Sequence, residues 1–464
     1  MVDGVPSLRY MVVNIRRHPA KGPLPTMAAL TQQPLFSWKE VDRSPEIERF
    51  KALLGALAQE KLLARLTRRR RGRRFAHSQE ALWRALLAKE LFGHHTLAEL
   101  VRDLLRNPEL RQACGFEKVE DVPTGDYVWS RFQERLGKHA ALVEEMFDEL
   151  VERLAALLPD LGRRLAVDSK ALPVEGARPA DADTGVKTYE DGATKKTMTW
   201  FGYKVHVIAD AAYELPLGFE VTPASAADTN HLMPLVEKLA AEHPEVAERG
   251  ESLAADRAYD SAWHKQTLHE QHHLSPLIPP RDLSANSSQT YKALDPQRHD
   301  TIYLGPQGEV VCKHDPFQPD EAKSLAPMQF MGYEAEREAL KFRCPAAAYG
   351  IECKNRQACR CRPGVREGKW GRIVRVPLER DRRLLTPAYF HSRSFKEPYK
   401  ARTSIERLFN RVDHVHHLER NHVRSIGRMR ARVGMVFLVM LAQAAAAVAA
   451  GHPEALRRIL RPAA

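Results

Sequence analysis

Three acidic residues stand where chemistry is possible. The apolar run "LAVDSKALPV" delivers Asp168, "LAADRAYDS" delivers Asp256, and "EPYKARTSIERLFNRVDHVHHL" carries Glu406. In open α/β sheets reactive groups gather beyond strand ends, so neighbouring strands would bring the two aspartates close together. Around Glu406, the residues Ile405, Leu408, Phe409, Val412 and Val415 repeat at the spacing of a packed helix. Tyr399, Arg402, Glu406 and Asp413 fall on the opposite side, because steps of three, four and seven residues nearly return to one azimuth. Three carboxylates forced together repel and partly protonate unless a cation joins them. Mg²⁺ suits such a group, since it takes oxygen ligands, keeps several waters and binds through a few carboxylates plus phosphates. Two such ions roughly 3.5–4 Å apart activate a water or a 3′-hydroxyl and stabilise the leaving oxygen of an in-line phosphoryl displacement. Each aspartate alone reads more simply as a solvated strand end; the weight lies in their joint placement.

The elements that must position these residues alternate. From Leu165 the pattern runs strand, strand, strand, helix, strand, helix, strand, which predicts an α/β fold with a mixed sheet flanked by helices. "FGYKVHVIAD" and "ELPLGFEVTPAS" read as an antiparallel hairpin. Ahead of them, residues 41–160 read as a helical domain. Ser44 with Pro45 marks one helix start and Thr96 another. Residues 1–40 read as a disordered N-terminal extension. Residues 282–381 break the α/β pattern and read as an inserted, basic, cysteine-containing subdomain. The catalytic sheet would then comprise 161–281 and 382–450.

The chain has 464 residues and a formal net charge of +12, which favours a polyanionic partner, nucleic acid first. Arg68, Arg69, Arg70, Arg71, Arg73 and Arg74 form a run between helical segments, where like charges repel unless something anionic screens them. Short helices beside such a run predict DNA binding. The N-terminus carries no apolar core of a secretion signal, and a cytoplasmic, nucleoid-associated protein is expected. The one apolar stretch of near-spanning length, Gly434–Gly451, is alanine-rich and contains Gln443, so it reads as a buried core helix rather than a membrane span.

Cys344, Cys353, Cys359 and Cys361 lie close in sequence, with Cys312 and His314 upstream. Four thiolates on short turns suffice for a closed structural Zn²⁺ site; reduced, unligated thiols are the other reading. Lys170 and Lys204 could each contact a DNA backbone or face solvent. His414, His416, His417 and His422 read as surface histidines, since no H-E-x-x-H pattern is present.

"AVDSK", "LAADRAYDS" and "YKARTSIERLF" resemble the three signature segments of the DDE transposases of bacterial insertion sequences, in the group marked by a Tyr-Arg-Glu-Lys signature and its near relatives. "ALWRALLAKELFGHHTLAELVRDLLRNPELRQACGF" is similar to their helical N-terminal domain. The resemblance makes Asp168, Asp256 and Glu406 the catalytic, metal-holding acids, and gives Tyr399 and Arg402 contacts to DNA near the scissile phosphate. It implies an RNase H-like catalytic fold, Mg²⁺ or Mn²⁺ dependence, recognition of terminal inverted repeats and target DNA, and action as a homo-oligomer on double-stranded DNA. One position departs: where the signature has lysine seven residues after the glutamate, this chain has Asp413. A metal-dependent nuclease of the same fold and a catalytically inert DNA-binding derivative remain the alternatives, the second disfavoured by the presence of all three acids.

Overall fold

The computed structural model describes residues 44–68, 75–176, 178–191, 194–281, 291–295, 299–355, 359, 371–453 and 456. The 1–40 extension, Arg69, Arg70, Arg71, Arg73, Arg74 and Cys361 lie outside the described residues.

Seven helices come first: α1 (Pro45–Ala56), α2 (Glu60–Thr67), α3 (Gln79–Leu91), α4 (Leu97–Arg106), α5 (Pro108–Cys114), α6 (Asp126–Gly137) and α7 (Ala140–Leu157). Thr96 caps α4, its hydroxyl accepting from Glu99 N–H at 3.1 Å. Ser44 stands at the N-cap of α1 with Pro45 behind it, but its hydroxyl donates to the Glu46 carboxylate at 2.6 Å rather than capping the helix.

The main sheet follows: β1 (Arg164–Pro173), β2 (Asp183–Asp191), β3 (Thr194–Asp210), β4 (Leu215–Pro223), then α8 (Leu232–Glu242) and α9 (Pro244–Glu248), β5 (Ser252–Ala255), α10 (Ala262–Glu270) and β6 (Ser275–Leu277). β3 is the long member. Its second half pairs antiparallel with both β1 and β4, while its first half pairs with β2. β1 then pairs parallel with β5, and β5 parallel with β6. The order β4-β3-β1-β5-β6, with two antiparallel and two parallel steps, is the RNase H-like arrangement. The polar stretch 180–196, which shows no strand alternation in the sequence, instead supplies β2 and the start of β3. This ribbon is largely solvent-facing, so its side chains need no apolar period. At the root of the ribbon Gly202 has φ +151, and a Cβ there would lie 2.3 Å from the Leu172 carbonyl oxygen; only glycine lets β3 pass β1 so closely.

The lobe that follows holds two small antiparallel sheets. One contains β7 (Lys292–Asp295), β8 (His299–Leu304), β9 (Val310–Lys313) and, beyond the short α11 (Glu321–Ser324), β10 (Leu325–Pro327). The other contains β11 (Gln329–Glu334), β12 (Ala339–Arg343) and, after α12 (Pro345–Tyr349), β13 (Ile373–Pro377).

The chain returns to the main sheet through α13 (Arg393–Tyr399), a 3₁₀ turn (Lys400–Arg402), α14 (Thr403–His416) and α15 (Ile426–Ala449). The sequence reads as one long helix from Glu397. The structure breaks it at the 3₁₀ turn, which begins two residues after Pro398, whose missing N–H and ring disfavour a continuous α-helix. α15 has the length and hydropathy of a membrane span, yet every residue from Val433 to Ala442 is buried inside the protein. Phe147 of α7, Phe219 of β4 and Phe437 of α15 meet there, Phe219 lying 5.2 Å from each of the other two ring centroids. Aromatic contacts of this kind add to simple area burial, and they tie the N-terminal helices, the sheet and the C-terminal helix into one core.

Candidate active site

The parallel pairing of β1 and β5 sets the site. Val167 stands opposite Ala255, so Asp168 and Asp256 occupy the next positions on neighbouring strands, which run about 4.8 Å apart. Local bonds aim both carboxylates. Asp168 Oδ1 accepts from Ser169 N–H at 2.8 Å. Asp256 Oδ1 accepts from Ala258 N–H at 2.7 Å, capping a 3₁₀ turn over Arg257–Tyr259.

Glu406 reaches this pair through an arginine. Arg402 Nη1 lies 3.6 Å from Asp168 Oδ2, and Arg402 Nη2 donates to Glu406 Oε1 at 2.5 Å. The side chains are graded in exposure: Asp168 14%, Arg402 23%, Glu406 48%. The cluster thus opens to solvent on the Glu406 side. Ile405, Leu408, Phe409 and Val412 of the predicted apolar face of α14 are buried, and Val415 at its end is half-buried.

Electrostatics mark the site. Burial and the neighbouring Asp256 push the Asp168 carboxyl up to about 6, against the pull of Lys187 on β2 and of Arg402. Burial works against the Arg402 charge, but Glu406, Tyr399, Asp168 and Asp256 outweigh it and hold its pKa above the ordinary arginine value. Tyr399 is raised by burial, feels both aspartates, and stacks on Phe395 at 5.3 Å.

The lysines sit differently from the simplest expectation of DNA contacts or solvated side chains. Lys170 forms an ion pair with Asp413 and lies 5.9 Å from the Phe409 ring centroid. The acid at position 413 therefore does meet a cation, supplied by β1. Lys204 donates to Asp228 Oδ1 and to the Ala226 carbonyl, both at 2.8 Å. Arg68 is exposed at the end of α2. His416 is no surface residue: it is buried, with Nδ1 3.0 Å from the Glu90 carbonyl, and His417 stacks on His95. The reason is α14 itself, which packs this face against α3.

Two neighbours of the site went unrecognised in the sequence. Tyr259 is buried beside Ser169, and burial together with Asp168, Asp228 and Asp256 raises its hydroxyl well above the ordinary value. Its signal was its position, three residues after Asp256. Asp228, with Lys204, His206 and His231, borders the same region, and no spacing rule links those four. Elsewhere, Asp148 of α7, Glu242 at the end of α8 and His243 between α8 and α9 bring ligand atoms within 4.8 Å of one another.

β1 does not end at Asp168, as the sequence suggests, but runs on to Pro173 against β3, while β5 stops just before Asp256. The strand order, with these two acids side by side on its central parallel pair, defines an RNase H-like α/β protein. Residues 159–442, more than half of the chain, match the transposase DDE domain family, and residues 39–135 match a second transposase domain, DUF772. The chain belongs to the transposase DDE domain family and is a DNA transposase by that membership. Among solved structures it is similar to a piggyBac transposase synaptic complex with hairpin DNA, at 11% identity and a TM-score of 0.38, over 90% of this chain and 80% of that one. No curated protein matches the chain in sequence.

Proposed function

We propose that the chain cuts DNA at the terminal inverted repeats of its own insertion sequence and joins the freed ends to target DNA, using Asp168, Asp256 and Glu406 as one metal-dependent site. The observation that carries this reading is the meeting of Asp168, midway along β1, and Asp256, just past the end of the parallel neighbour β5, with Glu406 linked to Asp168 through Arg402. The donor set fits a hard divalent cation. It consists of carboxylate oxygens, and the crowding of Asp168 by Asp256 marks a place where positive charge is wanted. Asp168, Asp256 and Glu406 would hold Mg²⁺ or Mn²⁺, which when bound supplies charge neutralisation and an activated oxygen nucleophile.

The protein's own groups do the rest. Ser169 and Ala258 backbone N–H groups each hold one oxygen of an aspartate and fix its side chain. Arg402 is already between two carboxylates, and its fork can trade one of them for a phosphate of the DNA backbone. Tyr399 flanks that position. Lys170 is held by Asp413 and braces β1 against α14 behind Asp168. The net positive charge draws the duplex toward the site, with Arg68 and the arginines after it as backbone contacts. The protein would work in the cytoplasm on nucleoid DNA, as a homo-oligomer that holds two ends together, without a membrane.

The test uses the purified full chain, Mg²⁺ and linear DNA carrying both ends that flank the reading frame. Wild type should nick at the repeat ends and join them to target DNA. Asp168→Asn should bind the same DNA with unchanged affinity and cut none of it. Cutting without joining would make the chain a nuclease of this fold, and undiminished cutting by Asp168→Asn would remove Asp168 from the chemistry.

A further inference from the structure

The lobe between β6 and α13 gathers cysteines from three separated stretches. Cys312 is on β9, paired to β8 at Ile302 and to β10 at Ala326. Cys344 follows β12 and stands at the N-cap of α12. Cys353 and Cys359 come later still.

Backbone bonds draw these stretches together. Lys354 and Asn355 N–H both donate to the His314 carbonyl, at 2.9 and 3.1 Å, and Asn355 Nδ2 donates to the Lys313 carbonyl at 2.9 Å. The segment carrying Cys353 is thereby fastened to the residues just after Cys312. Cys359 N–H donates to the Asn355 carbonyl at 3.1 Å. On the other side, Cys344 N–H donates to the Arg372 carbonyl at 2.8 Å, and Arg372 Nη1 lies 3.7 Å from Cys359 Sγ. Gly371 makes this approach possible. It has φ +63, and a Cβ there would sit 2.6 Å from Ala347 Cβ and 3.1 Å from Cys344 Cβ. Arg372 Nη1 also lies 3.4 Å from Thr301 Oγ1, next to Ile302, the residue paired with Cys312. The stretches that carry Cys312, Cys344, Cys353 and Cys359 are thus fastened to one another around Arg372 and His314.

We propose that Cys312, Cys344, Cys353 and Cys359 bind one structural Zn²⁺ as a closed tetrathiolate site. Sulfur donors from short turns select zinc over the hard cations suited to the carboxylate site. On binding, the thiols release their protons to solvent and the thiolates become ligands. The resulting site is anionic, and Arg372 beside Cys359 offsets part of that charge. The metal would clamp the sheet containing β9 to the end of β12 and the start of β13. The lobe needs such a clamp, because the core shared by its two sheets is a small cluster around Ile302, Val310, Leu340, Phe342, Val374 and Val376. The assignment replaces Cys361 of the sequence-based set with Cys312, and it stands whether or not the carboxylate site cuts DNA.

The test is the metal content of the purified full chain by inductively coupled plasma mass spectrometry after gel filtration. Wild type and Cys361→Ser should each carry one zinc per chain, and Cys312→Ser should carry none. Should Cys312→Ser fail to fold, wild type refolded with Co²⁺ reports the ligands instead: four thiolates give intense sulfur-to-cobalt charge-transfer bands and tetrahedral d–d bands. A wild-type protein without metal, one carrying iron, zinc retained by a folded Cys312→Ser, zinc lost from Cys361→Ser, or a cobalt spectrum without strong thiolate bands would each overturn the proposal.

Discussion

Replacing Asp168 by asparagine removes one charge from the carboxylate cluster and keeps its shape. Burial first, and Asp256 second, lift the Asp168 carboxyl from 3.8 to about 6. Keeping it ionised well above that pH in the metal-free fold costs about 3 kcal/mol. The sign follows from proton binding. Between about pH 4 and pH 6 the folded chain holds a proton that the unfolded chain has released, so stability falls as pH rises through that window and the full penalty stands above it. Asparagine cannot ionise, and its Oδ1 can still accept from Ser169 N–H. In EDTA at about pH 8, Asp168→Asn should therefore raise the unfolding free energy by up to about 3 kcal/mol, and the gain should shrink toward zero near pH 4. Urea denaturation of both proteins across this range, followed by tryptophan fluorescence, reads the difference directly. Adding Mg²⁺ should stabilise wild type and do much less for the variant. A variant equal to or less stable than wild type at pH 8 in EDTA would show that Asp168 is not under charge strain, and the reason for placing a cation there would fall.

Other consequences are as concrete. Burial lowers His416 to about 4, so stability should drop by about 3 kcal/mol as pH falls from about 6.5 to 4; His416→Gln should flatten that part of the pH–stability curve, and an unchanged slope would contradict the burial of the ring. Lys170 and Asp413 are 15% and 18% exposed, and a double-mutant cycle with Lys170→Met and Asp413→Asn should give a coupling of about 1–3 kcal/mol; no coupling would leave Lys170 a DNA contact alone. Phe437→Ala should cost about 3–5 kcal/mol in thermal or denaturant unfolding, and a loss under about 1 kcal/mol would mean that α15 is not the buried keystone described.

How much of this was legible in the sequence depends on which physical signal each residue leaves. Asp168 and Asp256 could be placed as neighbours because each follows a short apolar run of a buried strand, although β1 continues past Asp168 to Pro173 where the sequence suggested an end. The helix under Glu406 announced its packed face by period. The exposed ribbon of β2 and β3 left no mark, since a ladder that buries little has no apolar alternation to show. Pro398 was visible, but the 3₁₀ turn it precedes depends on how α14 docks. His416 looked like a surface residue because its burial comes from α3, far away in sequence. The pairing of Lys170 with Asp413 and the approach of Cys312 to Cys344, Cys353 and Cys359 are long-range contacts, and spacing along the chain does not encode them.

The central claim is that Asp168, Asp256 and Glu406 form one cation-binding site. Crystals of the full chain soaked in Mn²⁺, with anomalous diffraction collected near the manganese edge, test it most directly. The account predicts manganese between Asp168 and Asp256 with Glu406 alongside, abolished in Asp256→Asn. Manganese found only at Asp148, Glu242 and His243, or bound unchanged in Asp256→Asn, would contradict it.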